Sequence, residues 1–139
     1  MQYWDSSALV AIVLDEKRSA EMRLHLDRDP EIITSILTPI EIASAVSRRA
    51  HHRDLTPEQH ARATATFADL AESWIEVSDF GLIREVALDL LTRHLLRAGD
   101  AVQLASAITS GPYPHDLLFL TLDTRLADAA RAEGFTVLP

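Results

Sequence analysis

Five short runs rich in apolar and β-branched residues, MQYW, EIITSIL, WIEVS, DLLFLTL and FTVLP, recur along the chain, separated by segments of helical character. Strands that alternate with helices argue for an α/β fold, a mostly parallel sheet with helices on both faces. The helix signals differ in kind. SSALVAIVL places Leu9, Val10 and Val13 on an early helix, and SAEMRLHLDRDP reads as a helix closed by Pro30. TPIEIASAVSRRAHH predicts a start with Thr38 as N-cap, Pro39 at the first helical position and Glu41 at the third. DLTPEQ repeats the device with Thr56, Pro57 and either Glu58 or Gln59. A helix is expected from about Phe80 to Arg97, with Ile83, Val86, Ala87, Leu90 and Leu91 as its apolar stripe. GDAVQLASAITSG should end at Gly111 and Pro112, and TRLADAARAEG at Gly134.

No compositional break or repeat divides the 139 residues, so one domain spanning 1–139 is expected. Apolar residues make up 47% and charged residues 24%, which separates the chain from disordered tails. The absence of cysteine excludes zinc–thiolate sites, catalytic thiols and disulfides, and fits a reducing cytoplasm. Apolar runs fall short of a membrane span and no export signal is evident, so a cytoplasmic location is expected. A net charge of -8 opposes a simple electrostatic grip on nucleic acid. Clustered carboxylates that hold divalent cations would supply positive charge locally instead.

In doubly wound sheets, ligands bind beyond the carboxyl ends of the strands. Four acids stand where a strand hands over to a helix: Asp5 after MQYW, Glu41 in the turn after EIITSIL, Asp100 at the start of DAVQLASAI, and Asp123 after DLLFLTL. Each has an ordinary explanation, because aspartate is a favoured N-cap and acids suit the first turn of a helix. Together they suggest chemistry. Four carboxylates in one pocket repel one another unless cations neutralise them, and oxygen ligands without cysteine point to Mg²⁺, with Mn²⁺ as an alternative.

Other residue types carry weaker signals. The six histidines, His25, His51, His52, His60, His94 and His115, show no ligand spacing and read as surface or helix-terminal groups. Arg48, Arg49 and Arg53 near the helix of Glu41 are candidates for contact with a nucleic-acid backbone or for a solvated helix end, and Arg97 before Asp100 for phosphate contact or for pairing with an acid. Trp4, Phe67 and Trp74 read as core, and Asp116 as a solvated loop acid. A phosphoacceptor domain would require a late lysine, whereas the single lysine is Lys17.

The four motifs, YWDSSALV, TPIEIASAVSRR, LRAGDAVQLASAI and FLTLDTRLADAARAEGFTVL, resemble in order those of the PIN-domain family, in particular its VapC-type toxin ribonucleases. The resemblance runs from Met1 to Pro139. It implies a three-layer α/β/α sandwich around a five-stranded sheet of order 3-2-1-4-5. It implies Mg²⁺-dependent endoribonuclease activity, with Asp5, Glu41, Asp100 and Asp123 as metal-binding catalytic acids and Ser6 and Thr121 as supporting hydroxyls. A VapB-like antitoxin, an RNA substrate and a homodimer assembling into a heterotetramer or larger complex complete what it implies. The competing readings are a non-catalytic interaction domain that retains the acidic pocket and a PIN-like nuclease with another nucleic-acid substrate.

Overall fold

The computed structural model describes residues 1–138; Pro139, the last residue of the FTVLP run, lies outside them. The strands are β1 (Gln2–Trp4), β2 (Ile32–Ser35), β3 (Ile75–Val77), β4 (Leu118–Leu120) and β5 (Thr136–Leu138). They form one sheet in the order β3-β2-β1-β4-β5, with every neighbouring pair parallel. The chain starts in the centre of the sheet and winds outward first to one edge, then to the other, so the order reverses beside β1. That reversal places the ends of β1 and β4 side by side at a crevice.

Among the described residues seven helices cover the two faces: α1 (Ser6–Val13), α2 (Ser19–Arg28), α3 (Thr38–His51), α4 (Pro57–Ala71), α5 (Phe80–Arg93), α6 (Ala98–Thr109) and α7 (Thr124–Ala132). Alternation along the strands sorts the core into two layers. Tyr3, Ile33 and Phe119 point to one face, against Ile83, Leu90, Leu104, Leu126 and Phe135. Trp4, Ile32 and Leu120 point to the other, against Leu9, Ile12, Met22, Ile42 and Leu70. Trp4 is fully buried, and Phe67 and Trp74 pack on one another with ring centroids 5.9 Å apart. The result is the three-layer sandwich.

Two local expectations are corrected. Thr38 is not the N-cap of α3; Leu37 takes that place with helical backbone angles, and no side chain caps the helix. The Thr38 hydroxyl is buried and sits 2.7 Å from the Thr34 hydroxyl, so its hydrogen bond is spent within the core. The helix expected to reach Arg97 stops at Arg93, and His94 is extended at φ -131° and ψ 144°. No glycine or proline marks that break. His94 is instead drawn to Glu133 at the C-terminal end of α7, with Nε2 2.6 Å from Oε1, while Leu96 packs against the core.

The α4 start forms as expected: the Thr56 side chain accepts from Gln59 N, and the Gln59 side chain accepts from Thr56 N. Gly134 adopts φ +94°, a conformation that suits glycine at a helix stop. Asp116 lies exposed in a single 3₁₀ turn, Pro114–Asp116. Among the described residues no helix is long and apolar enough to cross a membrane.

Candidate active site

Asp5 is the last residue tied into the ladder between β1 and β4, donating its backbone N–H to Leu120 O at 2.9 Å. It is also the N-cap of α1, so its carboxylate turns back over the helix start. Oδ2 accepts from Ser7 N at 3.1 Å, from the Ser7 hydroxyl, and from Thr121 Oγ1 at 2.9 Å. Among the described residues Oδ1 receives only the 3.4 Å contact of Ser6 Oγ. With the residue 3% exposed, burial pushes the carboxyl up to about 6; the Ser7 and Thr121 hydrogen bonds oppose this, and Glu41 adds repulsion.

Asp123 continues the same turn. Its backbone N–H donates to Thr121 Oγ1 at 3.1 Å, and its Oδ1 caps α7 by accepting from Leu126 N at 2.9 Å. Thr121 therefore touches both neighbours of the crevice. Asp100, in the first turn of α6, accepts from Arg97 N through Oδ2 at 3.3 Å. Its carboxyl is raised chiefly by burial and further by the charge of Asp123; the Arg97 N–H and the Arg97 and Arg125 guanidiniums pull the other way.

Glu41 is released from capping by the position of Thr38, and reaches across to α6. Gln103 Nε2 donates to Glu41 Oε2 at 2.6 Å and to Thr38 Oγ1 at 3.0 Å. The amide is oriented from below, because the Tyr3 hydroxyl donates to Gln103 Oε1 at 2.8 Å. Gly99 allows this approach: a Cβ there would stand 3.0 Å from Glu41 Oε1. Glu41 thus rests against the residue that precedes Asp100.

The four predicted acids therefore share one rim of the sheet, coupled as Asp5 with Glu41 and Asp100 with Asp123. Capping and availability are compatible, since each carboxylate uses one oxygen structurally. Among the described residues, Asp123 Oδ2, Asp100 Oδ1 and Glu41 Oε1 accept no hydrogen bond. None of the four enters a salt bridge there. No three acidic or imidazole groups among the described residues stand close enough to form a ready-made cation cage. The donor chemistry, all carboxylate oxygen, is of the kind that a hard divalent cation would take.

Two contributors escaped the sequence reading. Ser7, rather than Ser6, makes the tight contacts, bonding Asp5 and accepting from Leu122 N at 2.9 Å. Gln103 lies three residues after Asp100, on the same face of α6; that spacing was its only signal. Arg97 stands at the rim as the residue before α6. Arg48 and Arg49 are not brought to the acids, because they sit in the last turn of α3, about 10–12 Å along the axis from Glu41. Arg49 is turned toward Glu16 at 3.4 Å and Asp54 at 3.8 Å. Arg53 lies beyond the helix with φ 57°.

Comparison with known proteins agrees with this geometry. The model of the PIN domain matches residues 3–132, which include all four acids. This chain belongs to the PIN-domain family. The PIN domain is 31% identical over 137 residues to Ribonuclease VapC45 of Mycobacterium tuberculosis strain CDC 1551 / Oshkosh, covering 99% of this chain and 94% of that protein. Among solved structures it superposes on a toxin–antitoxin complex from Klebsiella pneumoniae with a TM-score of 0.63 at 22% identity, covering all of this chain and 97% of that one. It also superposes on PAE2754 from Pyrobaculum aerophilum with a TM-score of 0.66 at 19% identity, covering 99% and 83%.

Proposed function

We propose that this PIN domain is a Mg²⁺-dependent endoribonuclease, the toxin of a toxin–antitoxin pair. The observation that carries the reading is the delivery of Asp5, Glu41, Asp100 and Asp123 to one rim by four different elements, each with an oxygen to spare. Relatives named ribonucleases that match along nearly the whole chain support it. Asp5, Asp100 and Asp123 would hold the metal, and Glu41 would ligate it or orient its water. Bound there, a divalent cation supplies Lewis acidity for water activation and neutralises charge on a phosphodiester.

The protein's own residues prepare that role. Thr121 and Ser7 fix Oδ2 of Asp5, leaving Oδ1 directed by little else. The relay from Tyr3 through Gln103 does the same for Glu41. Burial favours a proton on Asp5, and a cation competes for that position, so metal affinity should rise with pH.

An antitoxin with a VapB-like apolar helix would suit the recess of about 380 Å³ between α3 and α4, where Ala43, Val46, Ala50 and Phe67 line the wall. The exposed Leu88, Leu91 and Leu95 offer an apolar surface for a second copy of the chain. We place the protein in the cytoplasm, where its RNA would be. The test is cleavage of a mixed RNA pool by the purified chain with Mg²⁺, with and without chelator. Cleavage that chelator abolishes and Asp5→Asn lacks is the expected result; failure of the native chain to cut RNA would leave an interaction domain.

A further inference from the structure

Beside the acid rim, a recess of about 150 Å³ opens against the turn between β4 and α7. Thr121 and Asp123 line one part of it, and Arg18 and Arg131 another. Arg18 and Leu122 also line a wider recess of about 530 Å³ that continues to Lys17 and Arg49. The two recesses adjoin at Arg18 and Leu122, so together they mark a channel from Asp123 past the only lysine of the chain.

Its charges are mixed but unequal in commitment. Asp15, Glu16 and Asp128 also contribute to the walls. Arg131 is paired with Asp128 and Arg49 with Glu16. Lys17 is exposed and enters no ion pair among the described residues. Arg18 presents its fork to Glu21, with Nε and Nη2 each 2.7 Å from a carboxylate oxygen and both side chains 41% exposed. That two-pronged geometry is the one a phosphate accepts. A half-exposed pair of this kind holds weakly in water, so a phosphate can take the place of Glu21.

We propose that this channel seats the phosphates of the RNA strand flanking the scissile bond, with Lys17 and Arg18 as its contacts and Glu21 as the internal competitor for Arg18. The proposal rests on the ribonuclease reading above and adds a path to it. A chain of net charge -8 with an acidic catalytic rim repels a polyanion in general. The strand therefore needs cations next to the rim, and this channel supplies them while sharing Thr121 and Asp123 with it.

The experiment measures binding of a labelled single-stranded RNA to the Asp5→Asn protein over a salt series. Lys17→Gln with Arg18→Gln should flatten the plot of log K against log salt by about 1.4, the share of two phosphate contacts on a single strand. Glu21→Gln should act oppositely, tightening binding severalfold by freeing Arg18. Arg28→Gln, which removes one positive charge at the other end of α2, serves as the control and should keep the slope. A double variant whose slope equals that of the control, or a Glu21→Gln variant that binds more weakly, would overturn the channel. If the native chain neither binds nor cuts RNA, the ribonuclease reading itself fails; if it cuts RNA and the slope ignores Lys17 and Arg18, only the channel does.

Discussion

Asp5 and Asp79 perform the same local task at opposite ends of the physical range. Each caps a helix that follows a strand: Asp5 accepts from Ser7 N at 3.1 Å, and Asp79 from Leu82 N at 3.1 Å. Asp79 is exposed and enters no salt bridge among the described residues. Asp5 is buried beside Thr121, and its carboxyl feels Glu41. A cap motif is thus neutral about function. What separates a structural acid from a chemical one is the company that the sheet assembles around it.

The largest test of that contrast is activity. Asp5→Asn should reduce Mg²⁺-dependent RNA cleavage by more than about 100-fold, since loss of an outer-shell partner alone costs ~10–100-fold. Asp79→Asn should leave the rate where it was. Equal rates for native protein and Asp5→Asn in a chelator-sensitive assay would erase the distinction.

Stability against pH sharpens it next. Folding raises the Asp5 carboxyl from 3.8 to about 6, so the folded chain binds the proton more tightly than the unfolded one. Stability contributed by this group therefore falls as pH climbs from about 4 to about 6 and stays lower above that. Asparagine does not titrate. In chelated buffer, the stability of Asp5→Asn relative to native protein should improve by about 3 kcal/mol across that window, as read from urea unfolding. Added Mg²⁺ should narrow the gap by stabilising the native form; a gap flat with pH would contradict the burial argument.

Gly99→Ala is a smaller perturbation aimed at Glu41. Its Cβ would meet Glu41 Oε1 at 3.0 Å, so the carboxylate must shift by a few tenths of an ångström. Cleavage should fall by roughly 3- to 10-fold, scaled from the larger loss that a full ångström brings. Stability should hold or rise, because alanine suits a helix better than glycine. Loss of both together would mark Gly99 as structural.

The smallest effect is expected at the exposed cap. Asp79→Ala should cost about 1 kcal/mol of stability, as helix caps commonly do, with cleavage unchanged. A large drop in cleavage would mean that α5 positions the rim more directly than its contacts indicate.

The legibility of this molecule followed the range of the forces involved. The α4 start could be read because Thr56, Pro57 and Gln59 satisfy one another within four residues. The α3 start misled because Thr38 has the same local credentials but spends its hydroxyl on Thr34, beneath Gln103. The end of α5 was hidden for a similar reason: Glu133 draws His94 out of a segment with good helix propensity. Ser7 and Gln103 were hard to read as site residues, since Ser7 reaches Thr121 and Leu122 across 114 and 115 positions and Gln103 reaches Glu41 across 62.

By itself, the amino-acid order determined the succession of strands and helices and put an acid at each of four handovers, because periodicity, turn chemistry and caps act between near neighbours. Only the tertiary structure decided that these acids line one rim, which oxygen of each is occupied, and that Arg18 shares a recess with Asp123. Those outcomes depend on the reversal of strand order beside β1 and on burial, and both arise from contacts between residues far apart in the chain.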